Sequence, residues 1–263
     1  MKRYLGLFAE YFLQYAKIRL AYKGDLLISV GTAVVSTGFG LALVLLLFGR
    51  VPRLLDWRFH EILFLYGFGL IPLALFNMVS INLYYFADAY IVQGKFDRVL
   101  LRPIHSLFQI LFEQFRLEAL TDIPIGLGLV WYAAARLGLT FGIVDWISLA
   151  FAALFGFLIY VSIFVLLTSL SFWVEDRVGV MPPVYNMIAF GRYPLRIYNP
   201  FIRFLLSWII PFAFAGFYPS AHLLGRIEYR PYFLLLPVVA ALFAALALEA
   251  WNRGVRNYSS TGS

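Results

Sequence analysis

Side chains able to do chemistry are scarce in this chain, and their densest run is Asp88–Ser106, which reads DAYIVQGKFDRVLLRPIHS. Gly94 offers a break and Pro103 a stop, so the residues between them can form one short helix. On that helix Phe96, Val99 and Leu100 share an apolar face, while Lys95, Asp97, Arg98 and Arg102 lie elsewhere. A short amphipathic helix on the aqueous side suits docking into a partner's groove, and it suits equally an interfacial anchor for its own loop. The residues alone leave both open. The most deeply placed ionisable residue is Asp122, one turn beyond Glu118 and just ahead of Pro124. A carboxylate at that depth must face protein or a water-filled cavity. It is therefore either a pathway or gating residue, or the structural partner of an Arg or hydroxyl on a neighbouring helix. Glu113 and Arg116, three residues apart, would pair on a helix surface.

Absences narrow the chemistry. No GxxxxGK[ST] loop is present to cradle ATP phosphates. His60, His105 and His222 are scattered without ligand spacing, so no metal site is expected. There is no GxSxG elbow, no HExxH pair and no cysteine. The pairs Gly38/Gly40 and Gly67/Gly69 lie inside apolar stretches, where small residues let helices approach closely, which is a better reading than a nucleotide role.

The elements that must position these residues are membrane helices. The 263 residues are 62% apolar and 13% charged, with mean hydropathy +0.83; soluble domains are nearer a quarter charged. The formal charge of +7 does not make a nucleic-acid face, because the 21 Lys and Arg cluster at the ends of apolar runs, where they meet lipid headgroups. Residues 1–22 form neither a secretory signal nor a span. As a helix they put Leu5, Phe8, Phe12 and Tyr15 on one face, opposite Glu10, Gln14 and Lys17, the pattern of a helix lying flat in the interface. Spans are expected at Leu26–Phe48, Ile62–Phe86, Ala119–Ala135 (the apolar part of a helix covering Leu107–Ala135), Trp146–Trp173 and Pro231–Trp251. The small charged cluster Glu175, Asp176 and Arg177 follows the fourth.

Between Val178 and Gly225 two readings compete. Hydropathy alone makes Phe204–Ala221 the fifth span, but that leaves Trp208 near mid-span and interrupts it with Pro211 and Pro219. The alternative is a short span at Val178–Pro194, with 200–224 folded back into the outer leaflet; broken backbone at that depth must pack against protein or line water. Folding back divides the basic residues about twelve inside to nine outside, and the hydropathy choice about fifteen to six. Either way there are six spans with both termini on one side.

Flat N-terminal helix, six spans and a charged loop after the second together resemble the permeases of type-2 ABC exporters. More closely, GKFDRVLLRPIHSLFQ at 94–109, FGRYPLRIYNPFIRFLLSWIIPFAFAGFYPSAHLLG at 190–225 and WNRGVRNYSSTGS at 251–263 resemble one bacterial branch of them. The resemblance implies an all-α integral membrane fold, a single permease domain over 1–263 with an interfacial elbow helix (1–22), a coupling loop (88–106) and an outer re-entrant segment (200–225). It implies that Gly94, Lys95, Phe96, Asp97, Arg98, Leu100, Arg102 and Pro103 form the coupling helix that rests on a separate ATPase subunit. ATP and Mg would be bound there and not on this chain. It further implies a second permease, unlike or identical, a bacterial cytoplasmic (inner) membrane location and cytoplasmic termini. It favours the folded-back reading. Asp122, Trp208 and Pro211 stand as candidate pathway or gating residues.

Two other functions need different sequences. A membrane enzyme acting on lipid would need clustered acid/base or nucleophilic residues, and only Glu113, Glu118 and Asp122 come near that. A secondary transporter would show repeat symmetry and mid-membrane charges.

Overall fold

The computed structural model describes residues 2–174 and 179–259. Glu175, Asp176 and Arg177, Val178 at the start of the short fifth span, and residues 260–263 of the tail lie outside them. Helix α1 (Lys2–Ala21) leads through Tyr22 into α2 (Lys23–Phe48). A two-residue antiparallel ribbon, β1 (Arg53–Leu54) and β2 (Trp57–Arg58), turns the chain into α3 (Phe59–Val79). There follow α4 (Ile81–Tyr84), a π-turn Ala87–Val92, α5 (Phe96–Leu100) and α6 (Ser106–Phe112). A 3-10 turn Leu117–Thr121 opens α7 (Asp122–Arg136), and α8 (Ile143–Ser169) returns. The last third holds α9 (Met181–Met187), α10 (Pro200–Phe204), α11 (Phe212–Ala215), α12 (Phe217–Leu223) and α13 (Arg230–Asn257).

Four of these helical segments are long and apolar enough to cross a membrane: Lys23–Phe48, Phe59–Val79, Ile143–Phe172 and Ile227–Asn257. A fifth results if the bent pair Pro200–Ile209 and Phe212–Leu223 counts as one span. Helix α7, with 15 residues, reaches only about 22 Å at 1.5 Å per residue. The protein is thus an all-helical, multi-pass membrane protein.

Helix α3 is the axis of the fold. Every residue from Ile62 to Ala74 is buried, as suits a helix apolar all round. By contrast, only Val44 is fully buried on α2, most of whose surface is exposed. Helix α7 reaches α3 where glycine meets glycine: a Cβ on Gly126 would sit 2.6 Å from the Gly67 carbonyl oxygen. Close packing also accounts for Gly40, against the Tyr66 hydroxyl, and Gly69, against the Arg192 side chain, but not for Gly38, which meets nothing within 4 Å.

The helix expected over Leu107–Ala135 is not continuous. The chain leaves α6 at Glu113, and the Arg116 amide donates to the Met78 carbonyl at 2.9 Å instead of continuing the helical ladder. With the helix broken, Glu113 and Arg116 lose their three-residue alignment and do not pair. Glu113 accepts from the Tyr90 hydroxyl at 2.6 Å, and Arg116 pairs with Glu118 at 3.3 Å. The break gives α1 its seat. Phe8, Phe12 and Tyr15 stand edge-on to Phe115, as expected of an aromatic face, with Phe8 also edge-on to Phe112.

In the 200–225 stretch the two legs bend by 70° at Ile210–Pro211. Pro211 supplies no amide hydrogen, so a helix cannot run through it undisturbed. Every residue from Pro211 to Ala221 is buried, with Gly156 on α8 against the Ala215 carbonyl and Gly191 against the Phe212 backbone. The ends of the stretch come together: Arg196, Arg203, Glu228 and Tyr229 line one cavity.

The α3–α7 contact yields a direct test. Gly126→Leu, which drives a side chain into the Gly67 backbone, should lower stability by about 2 kcal/mol. Gly128→Leu, at an exposed position with nothing within 4 Å, should be neutral in the same thermal-unfolding assay in detergent.

Candidate functional site

The Gly94–Pro103 segment folds as a short lever fixed from beneath. Gly94 has φ +68°, a left-handed turn that glycine takes without strain. The five-residue α5 follows it. Phe96 is fully buried, with ring centroids 5.6 Å from Phe86, 5.3 Å from Phe172, 6.2 Å from Trp251 and 5.0 Å from Tyr258. Phe172 stands just beyond α8, Trp251 lies in α13 and Tyr258 just after it, so α5 rests on the ends of two long apolar helices at once. Buried Gln109 clamps the far end, donating to the Val99 carbonyl at 3.1 Å and to the Ile104 carbonyl at 2.9 Å. The Trp251 indole donates to Ser106 at 3.0 Å.

The face shared by Phe96, Val99 and Leu100 in the sequence reading divides here. Phe96 and Val99 point into the chain's own core, whereas Leu100 is exposed. Outward stand Lys95, Arg98, Leu100, Leu101, Arg102 and Pro103, with Leu101 84% exposed. Phe96 is therefore an internal anchor and not a contact residue. Asp97, half-buried, has a partner of its own. The outward surface is an aliphatic tip ringed by three cations.

A second constellation surrounds Asp122. Its Oδ1 accepts from the Thr37 hydroxyl of α2, and the Thr37 carbonyl accepts from the Tyr66 hydroxyl at 2.8 Å. One turn earlier Glu118, nearly buried, binds Arg19 at 3.0 Å and Arg116 at 3.3 Å. Arg19 also pairs with Asp25. Between α2 and α7 lies a groove of about 360 Å³ lined by Ser29, Thr32, Ser36, Asn77, Asp122 and Tyr185 among others. Glu118 is salt-bridged to two arginines, whereas the hydrogen bond of Asp122 is to a hydroxyl, the kind of structural partner the sequence allowed for. Trp208 and Pro211 do not line this groove. Trp208 is half-exposed on the cavity beside Arg203, and Pro211 is buried at the bend. The structure thus separates the three pathway candidates into two places.

Sequence reasoning missed the hydroxyl stripe of α2, although Ser29, Thr32 and Ser36 recur at helical spacing within an otherwise apolar run. It also missed Gln109, whose isolated position carried no signal. At the opposite end, Arg226 binds Asp56 at 2.6 Å and Glu61 at 3.0 Å, and its guanidinium lies 3.8 Å from the Trp57 ring centroid. Burial alone would raise the Asp56 carboxyl, but the Arg226 hydrogen bond leads the effects that hold it below its ordinary value.

No nucleotide-binding domain is evident in this multi-pass helical chain. Residues 34–262 match the family described as ABC-2 family transporter protein, and the chain belongs to that family as a permease component of an ABC transporter. Membership implies in general an ABC ATPase as partner. No curated protein and no solved structure matches the chain.

The division of α5 between anchor and outer face predicts unequal costs. Phe96→Ala empties a fully buried ring site and should destabilise the protein by about 3 kcal/mol. Arg98→Glu, on the open face, should change stability by less than about 0.5 kcal/mol. Thermal unfolding of the two variants checks this.

Proposed function

We propose that this chain is one membrane half of an ATP-driven exporter, and that Gly94–Pro103 is the coupling helix on which the partner ATPase acts. The observation that carries this reading is the anchoring of α5. A push on its exposed face passes through Phe96 to Phe172 and Trp251, at the ends of the third and last long apolar segments. ATP and Mg are handled by the ATPase, and a second permease, unlike this one, completes the pathway. The protein sits in a bacterial cytoplasmic membrane with both termini inside, α1 lying in the inner interface as an elbow.

On this reading six spans cross the bilayer: α2, α3, α7, α8, a short fifth through α9 to Arg192, and α13. The 200–225 stretch is a re-entrant hairpin entered and left from outside. Its 70° bend, its buried Pro211–Ala221 stretch and the meeting of its ends support this over a straight span. The hydroxyl-lined groove at Asp122 faces the pathway, because so many polar groups on a spanning helix are better placed against water or cargo than against lipid.

Two measurements test the reading. In the assembled transporter, Arg98→Glu combined with Leu101→Glu should remove the cargo-dependent part of ATP hydrolysis while insertion and thermal stability stay unchanged; full retention of coupled hydrolysis would refute the assignment. Asp122→Asn should alter transport by about tenfold or more without lowering the unfolding midpoint. A loss of stability alone would make Asp122 a purely structural partner of Thr37.

A further inference from the structure

We propose that the cavity between the first leg of the 200–225 hairpin and the start of α13 holds the phosphate group of an anionic amphiphile. Arg196 and Arg203 are its cationic ligands. The cavity measures about 460 Å³, within the range of small-molecule sites. Two arginines and a single acid, Glu228, supply its charge. Neither arginine is in a salt bridge among the described residues, in contrast to Arg226 close by, which Asp56 and Glu61 occupy. Guanidinium groups are suited to phosphate, which they can bind through paired hydrogen bonds.

The rest of the cavity is shaped for an apolar body. One wall is held firmly: Tyr218 and Tyr232 stack at 4.2 Å with planes 10° apart, and the Tyr218 hydroxyl shares a 2.8 Å hydrogen bond with Ser207. The rim is apolar and open. Phe204 and Trp208 line the cavity, and Phe201 and Ile209 beside them are 70% and 54% exposed. A free phosphate would have no use for that rim, whereas an acyl chain would lie along it. This commits the site to an amphiphile.

Charge placement gives an independent reason. If the hairpin is outside, which rests on the topology proposed above, the stretch Arg192–Arg203 stands against the positive-inside bias and leaves about nine basic residues outside. Arginines kept on the unfavoured side, unpaired and converging on one cavity, have a purpose if an anion lies between them.

The test uses the complete transporter purified in detergent and supplied with phosphatidylglycerol or phosphatidylcholine. Retained lipid is counted by native mass spectrometry. Wild type should retain phosphatidylglycerol in preference to phosphatidylcholine, and Arg196→Gln with Arg203→Gln should weaken that retention by about tenfold, as the loss of charge-assisted hydrogen bonds requires. Arg50→Gln with Arg53→Gln, which removes two exposed cations from the α2–α3 loop, should leave it unchanged. Equal retention of both lipids, or undiminished retention in the Arg196/Arg203 double variant, would overturn the proposal. Displacement of the lipid by excess inorganic phosphate would also overturn it, making the cavity a free-anion site. A second readout needs no charge change: brominated phosphatidylglycerol should quench wild-type fluorescence more than it quenches Trp208→Phe, and equal quenching counts against the site. The topology is judged separately. Arg203→Cys in intact cells should react with an impermeant thiol reagent from outside, and labelling from inside alone would defeat the hairpin reading without bearing on lipid retention.

Discussion

Helix α3 is surrounded by protein along most of its length, and the rest of the structure depends on how closely its neighbours approach it. In a bilayer no hydrophobic force drives helix against helix, because lipid tails are as apolar as leucine. Contact must come from fit. Gly67 and Gly126 provide it by removing the side chains where α3 meets α7. Pro72 and Gly156 bring α8 to another face, where a Cβ on Gly156 would lie 3.1 Å from the Pro72 ring. Once α7 and α8 are seated, the bent 200–225 stretch has a protein-lined slot for its broken backbone.

The same constraint explains where the polar residues went. Glu113, Arg116 and Glu118 do not lie on one continuous helix: the chain unwinds at 113–116, and each of them has a partner. Arg19 joins Glu118 to Asp25 and thereby ties the first helix to the start of α7 through the foot of α2. Asp122, a turn deeper, is left with Thr37.

Aromatic rings brace α5 and also wall the cavity beside Arg196 and Arg203. Phe96 lies within about 6 Å of four rings, belonging to the start of the π-turn, the end of α8, α13 and the residue just beyond it, so α5 cannot move without them. Interfaces packed this way shift between discrete arrangements and do not deform continuously. The bent 200–225 stretch touches both α8 and α13, through Gly156 with Ala215 and through the Tyr218–Tyr232 stack. Protein contacts therefore run without a break from α5 through α8 and α13 to that stretch.

The sequence by itself determined that this is a helical membrane protein. It placed the long apolar spans, put a short helix between Gly94 and Pro103, and marked the break at Pro211, because hydropathy, glycine and proline act locally. It also held the hydroxyl stripe of α2, legible as spacing. Only the tertiary structure decided which face each residue presents. Phe96 and Leu100 are both apolar and four residues apart, yet one is buried and the other exposed, since that depends on Phe172 and Trp251, some 75 and 155 residues further along the chain. Glu113 and Arg116 look like a helical pair until Met78 captures the Arg116 amide. Trp208, Pro211 and Asp122 share the traits of pathway residues, but their separation into two places follows from a fold in which distant segments meet. Local rules read the elements; the partners of each side chain come from contacts between residues far apart in the chain, and no local pattern encodes those.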